Sequence, residues 1–548
     1  MSGEKPYQLV AFDADKIQSY VFESARLPEV RGASQLMAEA GERARKYLVS
    51  QCGDVCHSAG GSLLGCIHGT ADDAEKLVAE LERKFLEVTV VATATAVPVP
   101  CEVDPRTNDD CFRQARNIAA YLLRREKDSR SAVPFFETPP YAQRCSSCDI
   151  RPANDMVQVP GENDKRPICT PCKKKLDKGK VGRGEQLNRF TDFLNMPDNQ
   201  SLLNGYLGDS SSKIDDIYSP PTLEDVISPG MEKTADDIGV ILLDGDDMGS
   251  KAGGLGWAAM RDFSKAVEQC LNVALCTALA TNRTWAEYVS EDGILPKGTR
   301  IHPFDIIFQG GDDLFVIVPA KEALDIAAAI VESFAKQAAE SELTKGCSLS
   351  GGVVIAPVHY PIYYLQRLAE QLCKSAKQGR RNSKDPDSSD GWIDFEIIKS
   401  GSAGPANLSD MRGDRTREVT GAREWLRLYD RPYPVDKLKA LLDATRDIHD
   451  RHAGLPKGQL LMMVTALNQD RLTGSTYLLY QLAKLNTDSQ AYKQLLMMVG
   501  DGKPTLSYRE PPGWRKTEYP DCGVVYSSCI PDIADLYNIV DRKGKASL

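Results

Sequence analysis

The sequence predicts an α+β protein with two ferredoxin-like units, and two observations lead to this fold class. The order strand, helix, strand, strand, helix, strand occurs once in residues 7–128 and again from residue 239 onward. A segment with two Cys-x-x-Cys pairs separates the two copies. With 548 residues, 42% hydrophobic and 26% charged, the chain has a globular composition and enough length for several domains.

Each element of the first unit follows from its apolar spacing. Its elements are predicted as a strand over 7–16, a helix over 17–48, a hairpin over 54–69, a helix over 70–87, a strand over 88–99 and a helix over 109–128. Thr70 is expected to cap the second helix. Asp13 and Asp15 follow the first strand, and we leave open whether they act as caps or as polar contacts.

The second unit repeats this order. Its elements are predicted as a strand over 239–244, a largely helical stretch over 252–289, a hairpin over 304–319, a helix over 321–340, a strand over 347–357, a helix over 363–377 and a strand over 392–398. The predicted domains are therefore the first unit (1–135), an insert (136–235), the second unit (236–400) and a C-terminal helical domain (401–548).

The net charge and the cysteine content of the chain argue against several classes of protein. A net charge of −10 argues against general attraction to nucleic acid or anionic lipid, so any phosphate binding is expected to be local. The N-terminus lacks the apolar run of a signal peptide, and no apolar stretch is long enough to span a membrane. Fifteen thinly spread cysteines, an odd number, are not typical of a disulfide framework, so we expect a cytoplasmic protein.

Acidic residues occur where two strands of the second unit are expected to end. Asp244 and Asp246 follow the first strand, and Asp312 and Asp313 follow Gly310-Gly311 at the hairpin turn. A right-handed crossover would place these segments at one edge of the sheet. Clustered carboxylates favour two Mg²⁺ or Mn²⁺ ions, with Asp244, Asp312 and Asp313 as ligands and Asp246 in the metal shell or orienting the turn. The alternative for the hairpin is an ordinary solvated turn.

Groups that could hold phosphate lie beside these carboxylates. The turn opens a helix, so its N–H groups could bind a polyphosphate, and the residues are Gly245, Asp247, Met248, Gly249 and Ser250. Lys377 and Arg381 share one helix face and could neutralise phosphate oxygens, or they could simply complement the helix dipole. The chemistry predicted is attack of a ribose hydroxyl on a nucleotide α-phosphate. It requires that Asp244 lie at the Gly-Gly turn and that no lysine already neutralise the cluster.

The insert carries the cysteine pairs Cys145/Cys148 and Cys169/Cys172, whose spacing indicates a zinc ribbon. Four thiolates close a tetrahedral site, so the zinc is expected to be structural. The alternative is four unrelated buried cysteines. The lysines after the last ligand are interpreted as a solvated basic face rather than an RNA contact: Lys173, Lys174, Lys175, Lys178 and Lys180.

At this point the sequence resembles the large polymerase-like subunit of type III CRISPR effector complexes. The resemblance covers roughly residues 7–400, and the stretches that carry it are FDADKIQSYVFESARLPEVRGAS (12–34), LLDGDDMG (242–249), GGDD (310–313) and AEQLCKSAK (369–377). GGDD and the segment AKQGRRN are also similar to diguanylate cyclases. The two units with a zinc module between them favour the CRISPR subunit.

The resemblance implies two palm domains of the nucleotidyl cyclase type and a product, cyclic oligoadenylate, made from ATP after target RNA binds. It also implies neighbouring CRISPR subunits, guide RNA and target RNA as partners. The acidic palm would hold the metals. In the first palm Ser62 follows Gly60-Gly61 in place of the acidic pair, so that palm is expected to be degenerate and to bind a nucleotide without metals.

The chain departs from many members of that family at its start. They begin with a nuclease domain carrying a His-Asp pair, whereas here the first palm strand is expected near Tyr7. His449, Asp450 and His452 lie in the C-terminal region and are interpreted as surface residues, so DNA cleavage is not expected. Two alternatives to the cyclase remain: a catalytically silent scaffold, and a stand-alone synthase of cyclic dinucleotides or of another nucleotide messenger.

Overall fold

The computed structural model describes most of the chain, in ranges separated by short gaps. The described residues are 6–51, 53–130, 141–158, 165–179, 185–208, 213–228, 237–282, 284–289, 295–383, 391–399, 407–419, 424–449, 454–485, 487, 489–499, 512–519 and 523–540. Across these ranges, no helix combines the length and the apolar character that crossing a membrane requires.

The first unit folds as one antiparallel sheet with helices packed on it. Its elements are β1 (Tyr7–Ala14), α1 (Ile17–Val21), α2 (Leu27–Ser50), β2 (Asp54–Ala59), β3 (Ser62–His68), α3 (Ala71–Thr89), β4 (Ala94–Cys101) and α4 (Asp109–Ser129). The strand order β2-β3-β1-β4 is that of a ferredoxin-like unit. Thr70 caps α3 in a capping box with Asp73, as expected. The helix runs on to Thr89, so the strand predicted from residue 88 begins at Ala94 instead.

The insert packs against the first unit. Its elements are β5 (Asp155–Gln158), β6 (Lys165–Ile168), α5 (Thr170–Gly179), α6 (Glu185–Leu194), α7 (Gln200–Leu207), β7 (Ile217–Tyr218) and α8 (Leu223–Ile227), with 3-10 turns at Pro197–Asn199 and Ile214–Asp216. Helices α2 and α5 cross in direct backbone contact, because a Cβ on Gly32 would lie 1.8 Å from the Lys175 carbonyl oxygen. The insert is therefore fixed to the first unit at this crossing.

The second unit has the same topology on a larger sheet. Its elements are β8 (Asp237–Gly245), α9 (Met248–Gly253), α10 (Trp257–Asn282), β9 (Ala286–Glu287), β10 (Arg300–Ile301), β11 (Asp305–Gly310), β12 (Asp313–Pro319), α11 (Ala320–Ala338), β13 (Leu349–Pro357), α12 (Ile362–Arg381) and β14 (Trp392–Ile397). The strand order is β11-β12-β8-β13-β14, and only β13 and β14 are parallel neighbours among these. The stretch predicted as largely helical over 252–289 is shorter in the structure, because α10 ends at Asn282 and β9 follows it.

The C-terminal region is rich in helices, as predicted, but it also contains a sheet. Its elements are α13 (Leu408–Gly413), β15 (Thr416–Val419), β16 (Glu424–Arg427), β17 (Tyr433–Pro434), α14 (Val435–Ile448), α15 (Lys457–Leu467), α16 (Arg471–Lys484), α17 (Gln490–Val499), β18 (Arg515–Tyr519), β19 (Gly523–Ser527) and α18 (Ile530–Leu536). The sheet has the order β15-β16-β19-β18, with strands too short to show a clear alternation. Strand β17 extends the sheet of the second unit, and both regions share one hydrophobic core.

A buried ionic network connects the C-terminal region to the second unit. Arg431 is 1% exposed, and its guanidinium lies 3.0 Å from Asp532, 2.7 Å from Asp535 and 3.4 Å from Glu396 of β14. Among the described residues, Arg431 is the only salt-bridge partner of Asp532, whereas Asp535 also pairs with Lys399 and Glu396 with Arg412. A buried carboxylate that loses its only cation is costly, because the low-dielectric interior solvates it poorly. The Arg431 guanidinium is therefore a main link between α18 and the palm sheet.

We expect Arg431→Met to lower the stability of the C-terminal region by about 3–5 kcal/mol, because it leaves the buried carboxylate of Asp532 without its cationic partner. Denaturant unfolding followed by near-UV circular dichroism measures this. The control is Lys439→Met, which breaks a solvent-exposed pair with Glu332 and should cost no more than about 1 kcal/mol. Equal effects of the two changes would contradict this role for Arg431.

Candidate functional site

Three carboxylates of the second unit meet at one edge of its sheet. Strands β8 and β11 run in the same direction because each pairs antiparallel with β12, so the end of β8 and the β11–β12 turn lie side by side. One carboxylate oxygen each from Asp244, Asp312 and Asp313 lies within 4.8 Å of the other two. Gly245 is required here, since a Cβ would lie 2.3 Å from an oxygen of Asp312.

The charge of this cluster is only partly compensated. Burial and the neighbouring Asp244 raise the pKa of Asp312, and the same two causes raise the pKa of Asp313 to about 8. In the ranges that the structure describes, no lysine or arginine forms a salt bridge with Asp312 or Asp313. The three oxygen donors and their excess negative charge fit a hard divalent cation such as Mg²⁺ or Mn²⁺.

Lys377 forms an ion pair with Asp244 and donates a second hydrogen bond to the Gly245 carbonyl at 2.8 Å. Burial opposes the charge of Lys377, but Asp244 outweighs it and raises the pKa of the lysine. Asp244 lies at the Gly-Gly turn, as the predicted chemistry requires. The requirement that no lysine neutralise the cluster is met only in part, because Lys377 neutralises one carboxylate of three. Lys377, which we expected at phosphate oxygens, faces a carboxylate instead.

The first unit contains the same lysine arrangement. Lys127 of α4 lies 2.6 Å from Asp13 and donates to the Ala14 carbonyl at 3.1 Å. These contacts reproduce those of the lysine in the second unit, with the same carboxylate and the following carbonyl. The lysine–aspartate pair therefore belongs to the architecture of both units, including the one without an acidic hairpin.

The two units differ at the hairpin turn. In the first unit Asp13 pairs across the sheet with Ser62, and the turn itself is Gly60-Gly61. In the second unit the positions of Gly61 and Ser62 are taken by Asp312 and Asp313. The acidic pair is thus the specific addition of the second unit to a scaffold that both units share.

Asp246 does not belong to the group of three carboxylates, so a catalytic part for it stays a prediction. It is 5% exposed and accepts hydrogen bonds from the hydroxyls of Ser348 and Ser350 at 2.7 and 2.8 Å. In the first unit Asp15 likewise accepts hydrogen bonds from Thr93 and Thr95. Asp246 therefore orients the turn after β8, which was the second role considered for it.

Arg381, for which phosphate binding stays a prediction, contacts a carboxylate in the structure. It lies 2.9 Å from Asp247, whose carboxylate is contacted by Arg380 as well, and Arg381 lowers the pKa of Asp247. Asp247 has a left-handed backbone, with φ of 52°. The predicted turn into a helix is present, with Met248, Gly249 and Ser250 in the first turn of α9, but the side chain of Met248 is buried. The arginine is thus partnered by a carboxylate rather than free for phosphate.

A cleft of about 760 Å³ lies between the two units. Its walls include both hairpin turns, α2 and α6, and the residues predicted for ligand contact that line it are Ser62, Gly310 and Asp313. The two turns touch, since a Cβ on Gly310 would lie 3.1 Å from the Gly60 nitrogen. A volume of this size is in the range of small-molecule sites. The carboxylate cluster therefore opens onto a space large enough for a nucleotide.

The sequence analysis missed His57, which bridges the two units beside this cleft. Its Nδ1 lies 2.5 Å from the Ser264 hydroxyl of α10, and its Nε2 lies 3.0 Å from the Ser62 hydroxyl. Burial lowers the pKa of His57, which favours the neutral ring. No local motif marks this residue, because its partner Ser264 is distant in the sequence.

The four cysteines of the insert come together as the spacing indicates. The sulfurs of Cys145, Cys148, Cys169 and Cys172 lie within 4.8 Å of one another and are buried, which fits a tetrahedral zinc site. Two buried acids of the first unit dock this module. Glu29 pairs with Arg166, and Glu23 pairs with Arg151 and Lys175.

The lysines of α5 are not one solvated face, which corrects that interpretation. Lys175 is fully buried and lies 2.9 Å from Glu23, while Lys173 and Lys178 pair with Asp155 and Glu39. Lys174 donates to a backbone carbonyl. Lys180 lies outside the described residues, as do Asp450 and His452. His449 is half-buried, and its ring packs at a tilt of 39° against that of Tyr537, with ring centroids 4.2 Å apart.

We expect one zinc ion per chain, measured by inductively coupled plasma mass spectrometry. The double change Cys145→Ser/Cys148→Ser should remove it and lower the melting temperature, because the metal site stabilises the fold of the insert. The matched control is Cys56→Ser/Cys66→Ser, which alters two buried thiols elsewhere and should leave the zinc content unchanged. A zinc content unaffected by the first change would contradict the assignment.

We also expect Asp246→Asn to bind Mn²⁺ nearly as well as the wild type, because an amide oxygen can still accept the two serine hydroxyls. Asp313→Asn should weaken Mn²⁺ binding at least tenfold, since it removes a negatively charged ligand. Electron paramagnetic resonance titration with Mn²⁺ compares the two. An equal loss of Mn²⁺ affinity in both variants would indicate that Asp246 is a metal ligand.

Comparisons with known proteins agree with this architecture. Residues 237–385 match the family described as Cas10/Cmr2, second palm domain. The CRISPR system Cmr subunit Cmr2 of Pyrococcus furiosus is 30% identical over 155 residues, a match that covers 25% of this chain and 16% of that relative.

Two solved structures share the fold over most of the chain. A Csm1–Csm4 cassette in complex with cA4 has a TM-score of 0.53 at 14% identity, covering 90% of this chain and 66% of that one. Csm1 of T. onnurineus has a TM-score of 0.51 at 14% identity, covering 88% and 64%. The chain thus spans less than two thirds of these relatives. It resembles the Cas10-like large subunit of type III CRISPR complexes, and residues 237–385 are similar to the second palm domain of that family.

Proposed function

We propose that this protein is a nucleotidyltransferase of a type III CRISPR antiviral complex, which converts ATP into a cyclic oligoadenylate or a related second messenger when target RNA binds. The observation that carries the proposal is the meeting of Asp244, Asp312 and Asp313 beside the cleft, with two of these carboxylates lacking a cationic side chain among the described residues.

In such a reaction the groups around the cleft would each have a different role. Two Mg²⁺ or Mn²⁺ ions bound by the three carboxylates would lower the pKa of the attacking ribose hydroxyl and neutralise the leaving pyrophosphate. Gly310 and Asp313 line the cleft, where an α-phosphate would lie beside the cluster, and the turn over 245–250 would approach the remaining phosphates. Ser62, held by His57, presents a hydroxyl from the opposite wall to a second nucleotide.

The solved relatives support this substrate class. Csm1–Csm4 cassettes sharing this fold have been determined with cA4, with pppApApA and with one ATP, at TM-scores of 0.53, 0.51 and 0.50. They also support assembly with other CRISPR subunits, to which we add guide RNA and target RNA in the cytoplasm. Exposed apolar side chains on α15 and α16 suit subunit docking; they include Met462, Leu472 and Tyr480.

One observation favours a second candidate, a catalytically silent scaffold. The ion pair between Lys377 and Asp244 satisfies part of the cluster without a metal ion, as the equivalent pair does in the first unit. A scaffold does not require Asp312 and Asp313, however, and their mutual repulsion destabilises the metal-free turn. The acidic pair therefore favours the enzyme.

The test is incubation of the protein, purified with its native partners, with radiolabelled ATP and Mg²⁺, with or without target RNA. We expect labelled oligoadenylate only with RNA, and at least a thousandfold loss in Asp312→Ala/Asp313→Ala because the metal ligands are removed. The matched control, Glu340→Ala/Glu342→Ala, removes two exposed carboxylates of the same unit and should retain activity.

The other outcomes separate the candidates. Product without RNA would identify a stand-alone synthase of a nucleotide messenger. Wild type and Asp312→Ala/Asp313→Ala that are both inactive under every condition would leave the scaffold as the function.

A further inference from the structure

The cations that the sequence places near the nucleotide are already engaged. Lys377 pairs with Asp244, and Arg381 pairs with Asp247. A nucleotide triphosphate brings several negative charges, and the metal ions of the cluster compensate only part of them. The proposed reaction therefore needs a cationic side chain that is not spent on a carboxylate.

Lys251 of α9 has this property. Its ammonium donates a hydrogen bond to the Lys345 carbonyl at 2.7 Å and lies 3.3 Å from the position that a Cβ on Gly346 would take. Across the described ranges, no carboxylate forms a salt bridge with it. A carbonyl oxygen orients an ammonium group but leaves its charge in place, and an ammonium group that contacts this carbonyl and the Cys347 thiol keeps one of its three protons for another acceptor.

The position of Lys251 relative to the carboxylate cluster follows from Cys347. Burial raises the pKa of this thiol, Lys251 opposes the shift through a hydrogen bond and its charge, and Asp312 adds to it. The thiol is therefore close to both the ammonium group and Asp312. Cys347 lies two residues before β13, whose first residue pairs with Gly245, and Lys345, which holds the ammonium group, lies two residues earlier still. The Lys251 ammonium therefore lies at the same edge of the sheet as the cluster.

We propose that the Lys251 ammonium binds the β- or γ-phosphate of the nucleotide whose α-phosphate lies at the Asp244, Asp312 and Asp313 cluster. This inference rests on the proposed function. Lys251 lies one helical turn after Asp247. Its ammonium group is held beside the site by the hydrogen bond to the Lys345 carbonyl. The tether reduces the entropy that a flexible lysine loses when it binds a ligand.

The test measures binding of ATP and of adenosine to the protein in its native complex with Mg²⁺, for the wild type, Lys251→Met and Lys251→Arg. We expect Lys251→Met to raise the Kd for ATP about tenfold or more and to leave the Kd for adenosine unchanged, because only ATP carries the contacted phosphates. Lys251→Arg should retain most of the affinity. The matched control is Lys265→Met, an exposed lysine of α10, which should bind ATP as the wild type does.

The outcomes distinguish this inference from the proposed function. A Kd for ATP within twofold of the wild type in Lys251→Met would overturn the role of Lys251 while leaving the cyclase intact. Equal weakening of ATP and adenosine would overturn it too, since that pattern reports a distorted site. A wild type that binds no ATP would overturn the proposed function and this inference together.

Discussion

The repulsion among three carboxylates at the end of β8 is the constraint around which this corner of the protein is organised. Asp244, Asp312 and Asp313 are brought together by backbone pairing, and burial raises the pKa of the latter two. One lysine compensates one charge. Such an arrangement is costly without a counter-charge, and its three oxygen donors are close enough together to hold a cation.

The two units share the contacts at the end of their first strand but differ at the hairpin turn. Both have an aspartate at the end of the first strand, a lysine bound to it, and a second aspartate held by two hydroxyls. These features stabilise the strand end in each unit. The hairpin pair Asp312 and Asp313 occurs only in the second unit, so the architecture that the two units share does not account for it.

The sequence was sufficient for the topology and for the meeting of Asp244 with the hairpin, because strand periodicity and crossover handedness are local rules. It was also sufficient for the cysteine cluster. It did not reveal the serine partners of Asp246 or the carboxylate partners of Lys377 and Arg381, since residue type and spacing reveal a charge but not the partner that the fold supplies. His57 and the C-terminal sheet were missed because their contacts join segments far apart in the chain.

The contact between the hairpin turns of the two units has a consequence for how the chain can diverge. Gly310 and Gly60 meet so closely that a methyl group on the former would press against the backbone of the latter. The turn of the second unit is therefore held to a glycine at position 310 by the backbone of the first unit, whereas a Cβ on Gly60 would lie 3.7 Å from the Gly310 carbonyl oxygen, an ordinary contact. A larger residue at position 310 would push the two turns apart and change the shape of the cleft, so the unit with the acidic pair is sterically constrained by the unit that lacks it.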